Sequence, residues 1–194
     1  MSLVHKGVKS FQSEVFPLMN ERFSSLRDGQ SPETLFITCS DSRIDPALLT
    51  QSKPGQIFVI RNAGNIVPKP GAGELGVEAT IQYAVDVLKV KQIVVCGHAH
   101  CGAVSALLNL DSVESMPVIR DWVLRSEAIL ENLPDGDDRV EQAISANVEL
   151  QLEHLKEFEC VANAISAGNL SLHGWVYHFD TGQVTYVSEP DNVC

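Results

Sequence analysis

Several things are scarce in this chain of 194 residues, and each shortage closes off a class of function. No apolar run approaches the roughly 20 residues that a membrane-crossing helix needs. The N-terminus lacks the basic-then-apolar pattern of a secretion signal, so the expected compartment is the cytoplasm, or an organelle if a transit peptide has been removed. Basic residues are few, 14 Lys and Arg against 25 Asp and Glu, for a net charge of -11. No Lys/Arg cluster stands out, which argues against nucleic acid and against an anionic membrane surface as partners. The five cysteines, Cys39, Cys96, Cys101, Cys160 and Cys194, form no short-spaced disulfide framework. An odd count of this kind points to metal binding or catalysis.

Repeats, low-complexity tracts and linkers are also missing. A hydrophobic fraction of 44% and a charged fraction of 20% are ordinary for a globular protein. A single domain over residues 1–194 is therefore expected, with residues 1–27 as a helical arm. Val8, Phe11, Val15, Met19 and Phe23 make one helical stripe within residues 4–26, which Pro17 should kink. Residues 34–38 form a first strand. Asp45-Pro46 then starts a short helix reaching Thr50, with Asp as cap and Pro at the first helical position. Residues 57–61 read as a second strand, apolar enough to be buried on both faces of a parallel sheet.

A loop over residues 62–71 leads to a helix at 73–88, whose core face is Val77, Ile81, Ala84, Val85 and Leu88. A third strand at 92–96 precedes a helix at 102–110. Ile119, Trp122, Val123 and Leu130 make one further helical stripe; Val140, Ile144, Val148, Leu152 and Leu155 make another. Residues 170–179 and 184–187 read as a terminal hairpin. The alternation predicts an α/β fold: a mainly parallel central sheet of order 2-1-3-4, a terminal antiparallel strand, and flanking helices.

Two stretches carry the chemistry: Cys39-Ser40-Asp41-Ser42-Arg43 after the first strand, and Gly97-His98-Ala99-His100-Cys101-Gly102 after the third. In the order 2-1-3 these strands are neighbours, and ligands bind in the crevice beyond their C-terminal ends. Cys39, a histidine and Cys101 supply zinc-type ligands, with one tetrahedral position left for water or substrate. Spacing alone does not choose between His98 and His100. An acidic residue two positions from a ligand can accept a proton, and Arg43 can hold the Asp41 carboxylate ionised. Gly71-x-Gly73-x-x-Gly76 spells a dinucleotide fingerprint, but it trails the second strand by a long loop and lacks the later acid. His5, His154, His173 and His178 have no nearby ligand partners. Cys96 reads as core, and Cys160 and Cys194 as non-functional.

Those stretches, with Arg61-Asn62-Ala63-Gly64-Asn65, resemble the β-class carbonic anhydrases over most of the chain. The resemblance implies one zinc ion per chain held by Cys39, His98 and Cys101, with Asp41 and Arg43 as catalytic dyad. Gln30, Phe58, Tyr83 and Gly102 match positions lining the substrate cleft. A subgroup inhibited by bicarbonate carries a Trp, an Arg and a Tyr; here Arg61 and Tyr177 match, while the Trp position is Phe36. An open fourth metal position follows from that departure.

The implied reaction is the reversible hydration of carbon dioxide to bicarbonate and a proton through zinc-bound hydroxide, with activity rising from neutral to alkaline pH. Zinc lowers the pKa of its water from about 16 towards about 7, a magnitude documented for the three-histidine carbonic anhydrases. Carbon disulfide or carbonyl sulfide hydrolysis and a non-catalytic zinc-binding scaffold are the rival functions. A homodimer or an assembly of dimers is implied, the arm clasping the partner, and a carbon-fixing compartment joins the possible locations.

Overall fold

A computed structural model describes residues 2–188; the sequence reading of Cys194 falls outside them. The amino-terminal arm is helical: α1, Leu3–Ser10, and α2, Phe16–Ser25, run on through one wide turn, Phe11–Val15. Pro17 explains the widening, because it has no N–H to donate and its ring displaces the carbonyl four residues earlier. The Phe16 amide instead reaches the Phe11 carbonyl, five residues back. Phe16 and Phe23 stack, and Phe11 packs edge-on against both, with ring centroids 5.4 to 6.2 Å apart. The arm joins the body at its base, where Arg22 Nε donates to the Pro54 carbonyl at 2.9 Å. Much of its apolar surface stays bare: Val8 in the stripe is 52% exposed, and Leu18 beside it 88%.

The body is one five-stranded sheet of order β2-β1-β3-β4-β5. Its strands are β1, Thr34–Cys39; β2, Ile57–Asn62; β3, Gln92–His98; β4, Ser171–His178; and β5, Gln183–Ser188. The first four run parallel and β5 returns antiparallel. This is the expected architecture, with β4 and β5 as the terminal hairpin. Leu35, Phe36, Ile37, Ile93, Val94 and Val95 are all buried, as parallel strands covered on both faces require.

The reading of the second strand needs correction. β2 lies at the edge of the sheet, only Ile60 in it is buried, and Val59 is 39% exposed. An apolar run resembles a core strand whether its cover comes from the same chain or from outside it, so composition could not separate the two.

The remaining helices are α3, Pro46–Thr50; α4, Leu75–Gln82; α5, Gly102–Leu108; α6, Pro117–Val123; α7, Arg139–Lys156; and α8, Glu159–Ser166. Asp45 caps α3 by accepting the Leu48 amide at 3.0 Å. Tighter 3-10 turns over Leu124–Asn132 continue α6. α7 buries Ile144, Val148, Leu152 and Leu155, four of the five expected apolar positions, while Val140 is exposed. This helix presses on β3. A Cβ added to Gly97 would lie 2.9 Å from Val148 Cγ2 and 3.2 Å from Ile144 Cγ2, so glycine lets α7 sit directly against the residue before His98.

Candidate metal centre

β1 and β3 end side by side, and their ends carry the two marked stretches. One ligand atom each from Cys39, His98 and Cys101 lies within 4.8 Å of the others, all three residues being buried. Among the described residues no other group of three His, Cys, Asp or Glu side chains converges in this way. His98 is the histidine that turns inward. His100 is exposed, with a left-handed backbone (φ 53°).

The donor set fits a zinc ion. His98 Nδ1 lies 2.8 Å from the Ala99 carbonyl. A proton there leaves a lone pair on Nε2, the tautomer a metal-binding imidazole needs. That Nε2 is buried with no hydrogen-bond partner, a costly arrangement unless a cation supplies what is missing. The two sulfurs are close enough to share a hydrogen bond. Hydrogen bonding from Cys101 draws the Cys39 thiol down; burial opposes this, while His98 and the Gly64 and Asp41 amides assist it. Cys101 is pushed up, first by its hydrogen bond to Cys39 and then by burial, although the Val104 and Ala103 amides at the start of α5 work the other way. Burial lowers His98, but the neighbouring Cys39 sulfur outweighs it and the net shift is upward. A divalent cation among these groups would displace the thiol protons and leave two thiolates.

Asp41 stands just beyond the triad, its Oδ2 3.8 Å from His98 Nε2. Arg43 grips it three times: Nε to Oδ1 at 2.9 Å, Nη2 to Oδ2 at 2.7 Å, and the backbone amide to Oδ1 at 2.9 Å. The guanidinium bonds hold the Asp41 carboxyl well below the usual carboxylate range. Arg43 is fixed in turn, stacked 4.4 Å over the Phe179 ring and donating to the His100 carbonyl at 3.3 Å. In the sequence Phe179 is marked only as the last residue of a hairpin strand.

Arg61 sits differently from the anion-binding role the resemblance suggests. Its Nε donates to the Cys39 carbonyl at 3.1 Å, and its Nη2 to the carbonyls of Asp41 at 2.7 Å and Ile44 at 2.9 Å. It therefore braces the turn that carries the dyad. Phe36 is fully buried and packs edge-on against Trp175, 5.9 Å between centroids. Of the expected cleft residues, Phe58 and Tyr83 come together, with centroids 6.0 Å apart. Gln30 is exposed on the loop before β1, and Gly102 is exposed as the first residue of α5.

The other candidates fall into structural roles. His154 is buried with Nδ1 2.7 Å from the Val67 carbonyl, His173 contacts Ser171, and His178 contacts Thr185. His5 pairs with Ser2 in the exposed arm. Cys96 lies in the core, where burial pushes its thiol up to about 12. Gly71 and Gly73 occupy left-handed turns ahead of α4, well after β2 has ended.

A parallel sheet whose adjacent strand ends converge on two cysteines and one histidine defines a mononuclear zinc protein of the α/β class. The sequence model of the family described as carbonic anhydrase matches residues 34–184. A carbonic anhydrase from Synechocystis is 42% identical over 191 residues, covering 95% of this chain and 70% of that protein. The solved structure of the β-carbonic anhydrase CcaA superposes with a TM-score of 0.90 at 42% identity, covering 94% of this chain and 92% of the other. Tetrameric β-carbonic anhydrases from Sordaria macrospora give a TM-score of 0.83 at 29% identity, covering 96% and 98%. The chain belongs to the carbonic anhydrase family, in its β class. It is thus a zinc enzyme of the family whose general reaction is carbon dioxide hydration. Among the described residues no helix is long and apolar enough to cross a membrane.

Proposed function

We propose that this chain hydrates carbon dioxide reversibly to bicarbonate and a proton, with zinc held by Cys39, His98 and Cys101 and with Asp41 and Arg43 as the working pair. The observation that carries this reading is the buried convergence of three ligand atoms beside a carboxylate held by an arginine. The chemistry a zinc ion supplies in such a site is Lewis acidity toward water, which makes a nucleophile available near neutral pH.

The rest is done by the protein. Asp41, kept ionised by Arg43, is a pure acceptor at neutral pH. It orients the attacking oxygen by taking a hydrogen bond from it and does not store the released proton. Arg43 in its three-point grip would hold Asp41 back from a zinc ion bound by the three ligands, leaving room there for water or substrate. The buried Phe36 supports that reading, because it offers no N–H with which to hold an inhibitory anion. Phe58, Tyr83, Gln30 and Gly102 are assigned to the substrate cleft. Phe58 lies on the edge strand β2 and Tyr83 packs against it from the helical turn after α4, so a second copy seated on that edge would complete the cleft.

Self-association as a dimer or an assembly of dimers follows from the bare arm and the β2 edge, and the tetrameric relatives are in keeping with it. The described cysteines are all free thiols, as the reducing cytoplasm or a carbon-fixing compartment would leave them. The test is zinc stoichiometry with stopped-flow carbon dioxide hydration across pH, on the parent and on Cys101→Ser. One zinc per parent chain, activity rising toward alkaline pH, and loss of both in the variant are expected. Full zinc content without hydration activity would overturn the assignment.

A further inference from the structure

One peptide unit next to the metal centre is held at both ends. The Gly64 N–H points at Cys39 Sγ at 3.3 Å. The carbonyl of the same peptide, that of Ala63, accepts the Trp122 indole Nε1–H at 2.7 Å. A hydrogen bond at the oxygen of an amide polarises its N–H, so the two bonds reinforce each other. The following carbonyl, that of Gly64, accepts Asn147 Nδ2 at 3.0 Å inside the core.

Asn147 is itself fixed. Its Oδ1 accepts Gln151 Nε2 at 2.8 Å, and Gln151 Oε1 accepts the Val67 amide at 2.8 Å. Gly64 has φ +80°, and a Cβ there would come within 2.9 Å of the Ala103 Cβ, so the peptide is also wedged against α5. Trp122 carries the Arg125 guanidinium 5.6 Å from its ring centroid, and Arg125 pairs with Glu74 at 2.7 Å. α5, α6 and α7 therefore all converge on one amide whose N–H meets a ligand sulfur.

We propose that Trp122 and Asn147 are positioning residues for the metal ligand Cys39: Trp122 polarises, and Asn147 orients, the Gly64 amide that donates to the Cys39 sulfur. The proposal rests on the assignment of Cys39 as a zinc ligand. Neither residue belongs to the ligand triad. An N–H···S bond draws charge away from a thiolate and lowers the energy of its donor electrons. In a site with two thiolates and one imidazole, that donation is large, and the protein moderates it on one sulfur with an amide governed from outside the site.

The probe is cobalt(II) in place of zinc, because the sulfur-to-cobalt charge-transfer band reports the donor energy of the thiolates. Trp122→Phe keeps an aromatic ring beneath Arg125 and removes only the N–H. Its band is expected to move to longer wavelength, and zinc release from the zinc-loaded enzyme to a chelator to accelerate about 3- to 10-fold, because the weakened amide bond holds Cys39 less firmly in its ligating position and this outweighs the stronger donation. That is below the 10- to 100-fold typical of losing a direct partner of a ligand. Asn147→Ala is expected to shift the band in the same direction and to release zinc faster still.

A packing role alone would lower the melting temperature without moving the band. A Trp122→Phe band that superposes on the parent's, with unchanged zinc release, overturns the proposal even if Asn147→Ala fails to fold. A parent that takes up no cobalt removes the ligand assignment, and the proposal falls with it.

Discussion

Replacing Arg61 by glutamine separates two roles for this residue. As a brace, Arg61 donates to three carbonyls along the turn from Cys39 to Ile44. Its side chain is exposed, so water competes for those carbonyls, and the low end of the net range applies, about 0.5–1 kcal/mol per bond. Loss of all three weakens the turn by about 2 kcal/mol. If that ordering must be regained in the transition state, kcat/KM falls roughly 30-fold, since about 1.4 kcal/mol is a factor of ten. The assay is stopped-flow hydration at fixed zinc content, with bicarbonate added as inhibitor. The brace predicts a lower kcat/KM with unchanged sensitivity to bicarbonate. Parent-like kcat/KM together with lost bicarbonate inhibition would refute the brace and restore the anion-site reading.

Asp41→Asn keeps the shape of the side chain but cannot accept on both oxygens; hydration should fall about 10²- to 10⁴-fold with zinc content retained, and near-parent activity would remove Asp41 from the mechanism. The same pair sets a pH signature. The folded-state pKa of Asp41 is depressed, so the stability it contributes is fully present above the unfolded carboxylate pKa of about 3.9 and is lost as pH falls through the lower folded value. The stability gap between parent and Asp41→Asn should therefore stay flat from about pH 5 to 8 and close only in stronger acid, as read by urea unfolding. Gly97→Ala would place a methyl 2.9 Å from Val148 Cγ2. Overpacking of this kind costs about 1–3 kcal/mol, at roughly 2–4 °C of melting temperature per kcal/mol, and calorimetry would detect it.

The parts of the centre that sequence reading recovers are those whose chemistry is local. Cys39 and Cys101 stand at the ends of apolar runs, and the residues that distinguish catalysis from structural metal binding, Asp41 and Arg43, lie within four positions of a ligand. Arg61 was visible as a motif residue, but its work was not, because three carbonyls carry no side-chain signal. The edge position of β2 was hidden for the opposite reason. Ile57 to Ile60 is as apolar as a core strand, and only the sheet order and the exposure of Val59 show that it is an edge strand incompletely covered by this chain.

The supports of the Ala63–Gly64 peptide were the least visible of all, yet a signal for them exists. Asn147 and Gln151 interrupt the apolar stripe of α7 one turn apart, among Ile144, Val148, Leu152 and Leu155, and both are buried. Burying two amide side chains is costly unless they meet partners. The loop of residues 63–67 has the complementary need. It is mostly buried and belongs to no strand or long helix that could pair its own backbone groups. A polar pair in a core stripe and a buried loop without a ladder are two halves of one requirement, and α7 meets it at Gly64 and Val67. The stability of α7 against β3 and the orientation of an amide on a ligand sulfur are therefore not separable, and substitutions on the buried face of this helix should be felt at the metal.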